Sequence, residues 1–292
     1  MDQDALPRAP DRLPGWRFLI DRGGTFTDVV AVSPQGRFSI HKALSRETRH
    51  GEDPAVATIV QCLGLPAGSA VPADQVTMVR MGTTVGTNAL LERRGAATAL
   101  VITSGFGDIL HIDHQARPAL FDLAIPPRPQ LAATVLEVQE RLDAHGQVIQ
   151  PLEEHQALGA LESLHAQGIR SLAICLAHSF RNPVHEQRLL QLAERVGFEH
   201  VSCSTMVSPL IKLAPRTQTT VVDAYLSPVL QRYTQKLQHA LRGVPLLMMQ
   251  SNGVLVPAAR FRGRDCLLSG PAGGIVGAVE TARVCGFERI VG

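Results

Sequence analysis

Between two short apolar runs, Phe18–Ile20 and Val29–Val32, the chain carries Asp21-Arg22-Gly23-Gly24-Thr25-Phe26-Thr27-Asp28. Paired glycines between strands let the backbone approach a ligand closely and turn its N–H groups toward phosphate oxygens. Thr25 and Thr27 add hydroxyl donors, and Asp21, at the end of the first run, is suited to hold Mg²⁺ through water. The same residues read equally as a hairpin turn with a capping aspartate. They are not a Walker loop, because Gly-Lys-Ser/Thr occurs nowhere in the sequence.

Two further segments have the composition of anion-binding turns. Met81-Gly82-Thr83-Thr84-Val85-Gly86-Thr87-Asn88 runs from a strand pattern into a helix pattern, and a helix N-terminus attracts anions through its unpaired N–H groups. One threonine would suffice as an N-cap, so the cluster of hydroxyl and amide side chains favours a site. Leu268-Ser269-Gly270-Pro271-Ala272-Gly273-Gly274 is expected to be a glycine-rich turn between a strand at Cys266–Leu268 and a helix at Ile275–Cys285. Its spacing is not Gly-x-Gly-x-x-Gly, and Gly105-Phe106-Gly107 has Leu110 where a third glycine belongs, so dinucleotide binding gains little support. His111, Asp113 and His114 could share a metal ion, but without a fourth ligand nearby in sequence such a group is more often surface structure. No Gly-x-Ser-x-Gly elbow supports a hydrolase triad.

The elements that must hold these segments are punctuated by glycine and proline. Strand, Gly-Gly turn, strand, a turn at Ser33–Gly36 and a strand at Phe38–Lys42 form an antiparallel meander. Asp53 and Pro54 open a helix that Gly64 closes. Val76–Met81 reads as a strand, Val85–Arg94 as a helix stopped by Gly95, and Thr98–Thr103 as the next strand. A hairpin from Leu136 turns at Asp143–Gly146. Helix (Glu153–Gln167), strand (Ser171–Leu176) and helix (Pro183–Val196) then imply parallel strands with crossover helices. A long helix around Thr219–Leu241 is expected to kink at Pro228, followed by a strand at Leu246–Gln250. Residues 1–15, with three prolines and three aspartates, read as a disordered leader, and a last strand starts at Arg289–Val291.

Composition narrows the function classes. Of 292 residues, 45% are hydrophobic and the formal net charge is +2, which suits a globular chain of about two domains and not a polyanion-coating surface. With 1 Trp and 2 Tyr, stacking platforms for single-stranded nucleic acid are not expected. The longest uncharged run, Gly243–Ala259, contains two prolines and is too short for a membrane span of ~20 residues. Five scattered cysteines without a Cys-x-x-Cys pair suit a reducing cytoplasm better than a disulfide frame, and only three lysines make a Schiff base a poor candidate.

Taken together and in order, Phe18–Val30, Met81–Gly95, Gln115–Leu123, Glu137–Gly146, Ala177–Glu186 and Leu268–Gly274 resemble the hydantoinase A/5-oxoprolinase family. Pro215–Leu230, Leu247–Gly253 and Phe261–Asp265 look most like its ATP-hydrolysing 5-oxoprolinase branch, with Val254 departing from the glycine usual there. The resemblance implies an α/β actin/sugar-kinase/Hsp70-like ATPase fold, a first lobe plus an incomplete second lobe. It implies an N-terminal domain over residues 16–205 and the start of a hydantoinase A-like domain over 206–292. The implied activity is ATP-driven opening of a lactam such as 5-oxo-L-proline through a phosphorylated intermediate. Hydantoin hydrolysis, ketone carboxylation and a non-catalytic nucleotide-binding subunit are the alternatives.

The resemblance also distributes roles, with ATP and Mg²⁺ as cofactors. Asp21 would orient Mg²⁺ or water, while Gly23, Gly24, Thr25 and Thr27 would face phosphates. Gly82, Thr83, Thr84, Asn88 and Arg117 would face substrate. Ser269, Gly270, Gly273 and Gly274 would form a second anion-binding turn. The family's second Asp-x-Gly-Gly-Thr hairpin would begin just after Gly292, so the chain looks like an N-terminal fragment. Implied partners are a hydantoinase B-like half, separate or fused, the missing C-terminal part, and further copies in an oligomer. Neither nucleic acid nor membrane is implied.

Overall fold

The computed structural model describes residues 15–46, 48, 51–113, 121, 123 and 129–291. In chain order its elements are strands β1 (Trp16–Arg22), β2 (Phe26–Val32) and β3 (Phe38–Leu44), helix α1 (Pro54–Cys62), β4 (Val76–Thr83), α2 (Val85–Leu91), β5 (Thr98–Thr103) and α3 (Ile109–Ile112). There follow β6 (Thr134–Val138), β7 (Arg141–Leu142), β8 (Val148–Gln150), α4 (Glu154–Ala166), β9 (Ser171–Cys175), α5 (Val184–Val196) and β10 (His200–Cys203). The last are α6 (Ser204–Val207), α7 (Leu213–Leu241), β11 (Leu246–Met249), β12 (Leu255–Pro257) and α8 (Ser269–Cys285). Among the described residues no helix is long and apolar enough to cross a membrane. Two compact units result: one gathers the described residues up to Asn88 with 231–261 and those from Asp265 onward, the other takes 89–230 with 262–264.

In the first unit a six-stranded sheet has the order β12-β11-β4-β1-β2-β3. The meander β1-β2-β3 forms as the turn residues demand, with Gly23 N–H closing the first turn on Phe26 O at 3.0 Å and Gly36 taking φ +82° in the second. β4 pairs with β1 in parallel, β11 with β4 in parallel, and β12 closes the edge antiparallel to β11. One face, with Phe18, Ile20, Val29, Ala31, Val79 and Met81, is fully buried. Helix α1 packs against this part of the sheet, its start fixed by the Asp53 carboxylate accepting from Ala55 N–H at 2.9 Å with Pro54 in the first turn.

In the second unit β5, β6, β9 and β10 form an all-parallel sheet of order β10-β9-β5-β6. Every residue of β5 and β9 is buried, as a sheet covered on both faces requires. Ala99, Val101, Leu172 and Ile174 join the cluster that holds α4 and α5, while Leu100, Ile102, Ala173 and Cys175 pack with Val221 and Ala224 of α7. The turn after β9 is pinned through the backbone of one residue, Leu176. Leu176 N–H donates to Glu186 Oε1 at 3.0 Å, and Leu176 O accepts from Arg216 Nη2 at 2.5 Å. Both charged side chains are 0% exposed.

Several sequence expectations are corrected. Leu136 belongs to no hairpin; it lies in β6, parallel to β5, and the hairpin is β7–β8. Gly95 does not stop α2, which ends at Leu91; it lets the chain pass the Tyr225 ring, where a Cβ would lie 2.1 Å from Cε1. The long helix begins earlier, at Leu213, and continues as one helix through Pro228. Pro228 has no N–H for the Ala224 carbonyl, and Ser171 Oγ donates to that oxygen instead at 2.7 Å. Cys266–Leu268 is not a strand, Arg289–Val291 forms none, and the glycine-rich segment is itself the start of α8. Strands β10 and β12, too short to stand out by pattern, were not expected. The leader expected over residues 1–15 lies, except for Gly15, outside the described residues.

Gly95→Ala forces the Tyr225 ring aside and is expected to cost about 2–3 kcal/mol in chemical denaturation. Ser171→Ala leaves the Ala224 carbonyl without its donor and is expected to cost about 1 kcal/mol. An unchanged denaturation midpoint in either variant would contradict these contacts.

Candidate functional site

The parallel register of β1 and β4 sets Asp21 beside Gly82 and Arg22 beside Thr83. Two segments some sixty residues apart in sequence thereby end side by side. Their turns are then tied together, because Thr84 N–H donates to Arg22 O at 3.0 Å and Thr84 Oγ1 to the same oxygen at 3.3 Å. Asn88 Nδ2 donates to Thr84 Oγ1 at 3.2 Å and sits 3.1 Å from where a Gly24 Cβ would be. A Cβ at Gly24 would crowd the Asn88 amide, and Gly24 itself has no positive φ. The third segment joins through Ser269 Oγ, which donates to Thr83 O at 3.1 Å.

A cavity of about 520 Å³ opens where the three meet. Asp21, Gly82, Ser269, Gly270, Gly273 and Gly274, all expected from the sequence, line it. Its other polar walls are Asp28 and Arg80, and its apolar walls include Leu19, Val30, Met249 and Val276. Arg80 was missed, though a lone arginine in the apolar strand Val76–Met81 with the parity of Gly82 was a usable signal. Helix α8 starts after Leu268, which has φ +61° and offers no side-chain cap, so the first-turn N–H groups of Ser269 and Gly270 are not capped by the preceding residue.

Other expected residues lie elsewhere. Gly23, Gly24, Thr25, Thr83, Thr84 and Asn88 build the adjoining turns and do not line the cavity. Thr83 Oγ1 accepts from Val85 N–H at 3.2 Å at the start of α2. Thr27 is fully buried, with its Oγ1 2.9 Å from Ser45 Oγ. Arg22 points to the opposite face, stacked over Tyr233 at 4.6 Å and 3.6 Å from Asp53, with its Nε buried and unpartnered. Arg117 and His114 lie outside the described residues. Asp113 accepts from Gln218 Nε2, and among the described residues no group of three or more His, Cys, Asp or Glu side chains could hold a metal ion.

The electrostatics centre on Asp21. Partial burial, and then the charge of Asp28 directly across the β1–β2 pair, raise its carboxyl above the usual aspartate range. Lys42 Nζ is 2.7 Å from Asp28 Oδ1 and pairs with that neighbour, and among the described residues Asp21 has no ion pair of its own. A negatively charged oxygen donor held at this energetic disadvantage suits a hard cation such as Mg²⁺.

Family comparison fits this geometry. Residues 17–197 match the hydantoinase/oxoprolinase N-terminal region and residues 216–292 match hydantoinase/oxoprolinase, and the chain belongs to the hydantoinase/oxoprolinase family. It is 41% identical to 5-oxoprolinase 1 of Arabidopsis thaliana over 91% of this chain and 23% of that protein. It is 33% identical to caprolactamase subunit alpha of Pseudomonas jessenii over 94% of this chain and 41% of that subunit. The solved ATP-dependent caprolactamase of the same bacterium superposes with TM-score 0.79 at 32% identity, covering 92% of this chain and 41% of that one. A nucleotide-free acetone carboxylase superposes with TM-score 0.74 at 26% identity over the same shares. The chain thus spans well under half the length of each.

Because the folded state raises the Asp21 pKa, the folded protein binds more protons than the unfolded chain between the ordinary and raised values. Stability contributed by this group is therefore present at low pH and lost as pH rises through that window. Asp21→Asn removes the loss, so at pH 7 the variant is expected to denature at the same or higher urea concentration than the wild type, and at pH 4 the gap should shrink. A variant less stable at pH 7 than at pH 4, relative to wild type, would contradict the assigned electrostatics.

Proposed function

We propose that this chain is the N-terminal, phosphate-handling part of an ATP-dependent cyclic-amide hydrolase acting on 5-oxo-L-proline, with an actin/sugar-kinase/Hsp70-like core. The observation that carries the reading is the convergence of three glycine-bearing segments on Asp21, a carboxylate whose charge the fold disfavours. A group that weakens the fold yet stands at a cavity wall is placed for chemistry.

In this reading Asp21 holds Mg²⁺ through water, and the hairpin tip Gly23–Thr25 and the start of α8 at Ser269–Gly270 face phosphate oxygens. Gly273 and Gly274 keep that wall bare, so the ligand meets backbone. Gly82 opens the wall beside Asp21, where a Cβ would lie 3.6 Å from Asp21 Oδ1. Thr27, Thr83, Thr84 and Asn88 hold the turns in place. The bound metal would neutralise phosphate charge, and ATP would supply the phosphoryl group that makes a resonance-stabilised amide open to water. Ring opening gives glutamate, ADP and phosphate. The reading includes a B-type half as partner and a cytoplasmic setting, in keeping with the free thiols Cys62, Cys175, Cys203 and Cys285.

A second reading, an ATP-dependent ketone carboxylase, is favoured by the likeness to acetone carboxylase. The two separate when this chain, combined with the remaining part of a 5-oxoprolinase, is given ATP, Mg²⁺ and 5-oxo-L-proline. Glutamate release only in the complemented mixture is expected, falling about 100-fold with Asp21→Asn. ATP hydrolysis triggered by ketone plus bicarbonate, without glutamate from 5-oxoproline, would replace the first reading by the second.

A further inference from the structure

The six-stranded sheet buries one face; the other, which also carries Asp21, Asp28, Lys42 and Arg80, is covered by α8 toward β4 and β11 and leaves apolar side chains exposed on β1–β3. Register places Leu19 of β1, Phe26 and Val30 of β2, and Phe38, Ile40 and Leu44 of β3 on the face opposite the buried core. None of the six is buried, and Phe38 and Ile40 are 74% and 71% exposed. Helix α8 packs mainly on β4 and β11, at the other end of this face. Leu19, Val30, Ile40 and Phe38 adjoin one another on this face, with the Asp28–Lys42 pair between them and Phe26 and Leu44, and a contiguous exposed apolar patch marks a docking surface. β3 is also a sheet edge, which exposed apolar side chains make prone to unwanted pairing.

We infer that this face is covered by the remainder of the same polypeptide in the full-length protein, packed across β1–β3 beside α8. Two observations choose that occupant over a second copy or a separate subunit. The matched segment makes up only 41% of the caprolactamase α subunit and 23% of the Arabidopsis 5-oxoprolinase. The rest of such a chain is tethered to the face at an effective concentration on the order of millimolar, which no free partner matches. The apolar patch is also continuous with the cavity through Leu19 and Val30, and α8 presents exposed Val276 at the same rim. One layer laid over β1–β3 therefore meets α8 and roofs the Asp21 cavity.

The test rests on stability and association, so it is independent of any turnover reading. Ile40 does not line the cavity. Ile40→Asp is compared in the isolated chain and in a chimera where this chain replaces the matched part of the P. jessenii caprolactamase α subunit. The Tm is expected to change by no more than about 2 °C in the isolated chain and to fall by about 5 °C or more in the chimera. Should the chimera not fold, the hydrophobic dye ANS is followed as the separately purified remainder of that subunit is added. Suppressed fluorescence with wild type but not with Ile40→Asp supports the inference. Equal Tm shifts in both settings, or dye fluorescence that the remainder leaves unchanged, would overturn it. So would a dimer of the isolated chain that Ile40→Asp dissolves, which makes a second copy the occupant.

Discussion

The parallel pairing of β1 with β4 is the constraint on which the site depends. A parallel pair needs a long connection, and here the meander and α1 supply it before the chain returns beside its first strand. That return fixes Asp21 against Gly82 without any side-chain choice, since register alone sets which strand ends coincide. From there the hydrogen bonds are short-range consequences. Thr84 reaches Arg22, Asn88 reaches Thr84 and crowds Gly24, and Ser269 closes the ring on Thr83. Five glycines, Gly82, Gly253, Gly270, Gly273 and Gly274, line the cavity walls beside Asp21 and Ser269.

The same arrangement concentrates cost at one atom group. Asp21 and Asp28 face each other across antiparallel strands, an unfavourable like-charge pair. Lys42 satisfies Asp28, and Arg22 turns away to Asp53 and Tyr233. Among the described residues no ion pair relieves Asp21, whereas the buried Glu186 of the second unit is given Leu176 N–H, Ser179, Ser204 and Thr205 as donors. The contrast between a fully satisfied carboxylate and an unrelieved one separates scaffold from site more sharply than residue type does.

Much of this was legible in the sequence, and the failures have identifiable causes. The meander and the α1 start follow from local chemistry, because Gly-Gly tolerates the dihedrals of a tight turn, Ser-Pro-Gln-Gly favours a turn, and Asp-Pro pairs an N-cap with a residue preset for the first helical turn. Thr27 could have been placed in the core, since it shares the parity of the buried Val29 and Ala31. The start of α8 could not, because Gly270, Gly273 and Gly274 have low helix propensity. Gly95 looked like a helix stop because nothing local announces the distant Tyr225 ring. That three separated segments meet was legible from family resemblance and not from periodicity, since register between remote strands leaves no mark on either.

The most direct test of the central claim is the titration of the Asp21 side-chain carboxyl by ¹³C NMR, with and without Mg²⁺ and ATP. The account predicts a midpoint above the usual aspartate value of ~3.9 for the protein alone, moving clearly downward when both ligands are present. A midpoint at the ordinary value, or one that the ligands leave unmoved, would contradict the assignment of Asp21 as the residue around which the site is built.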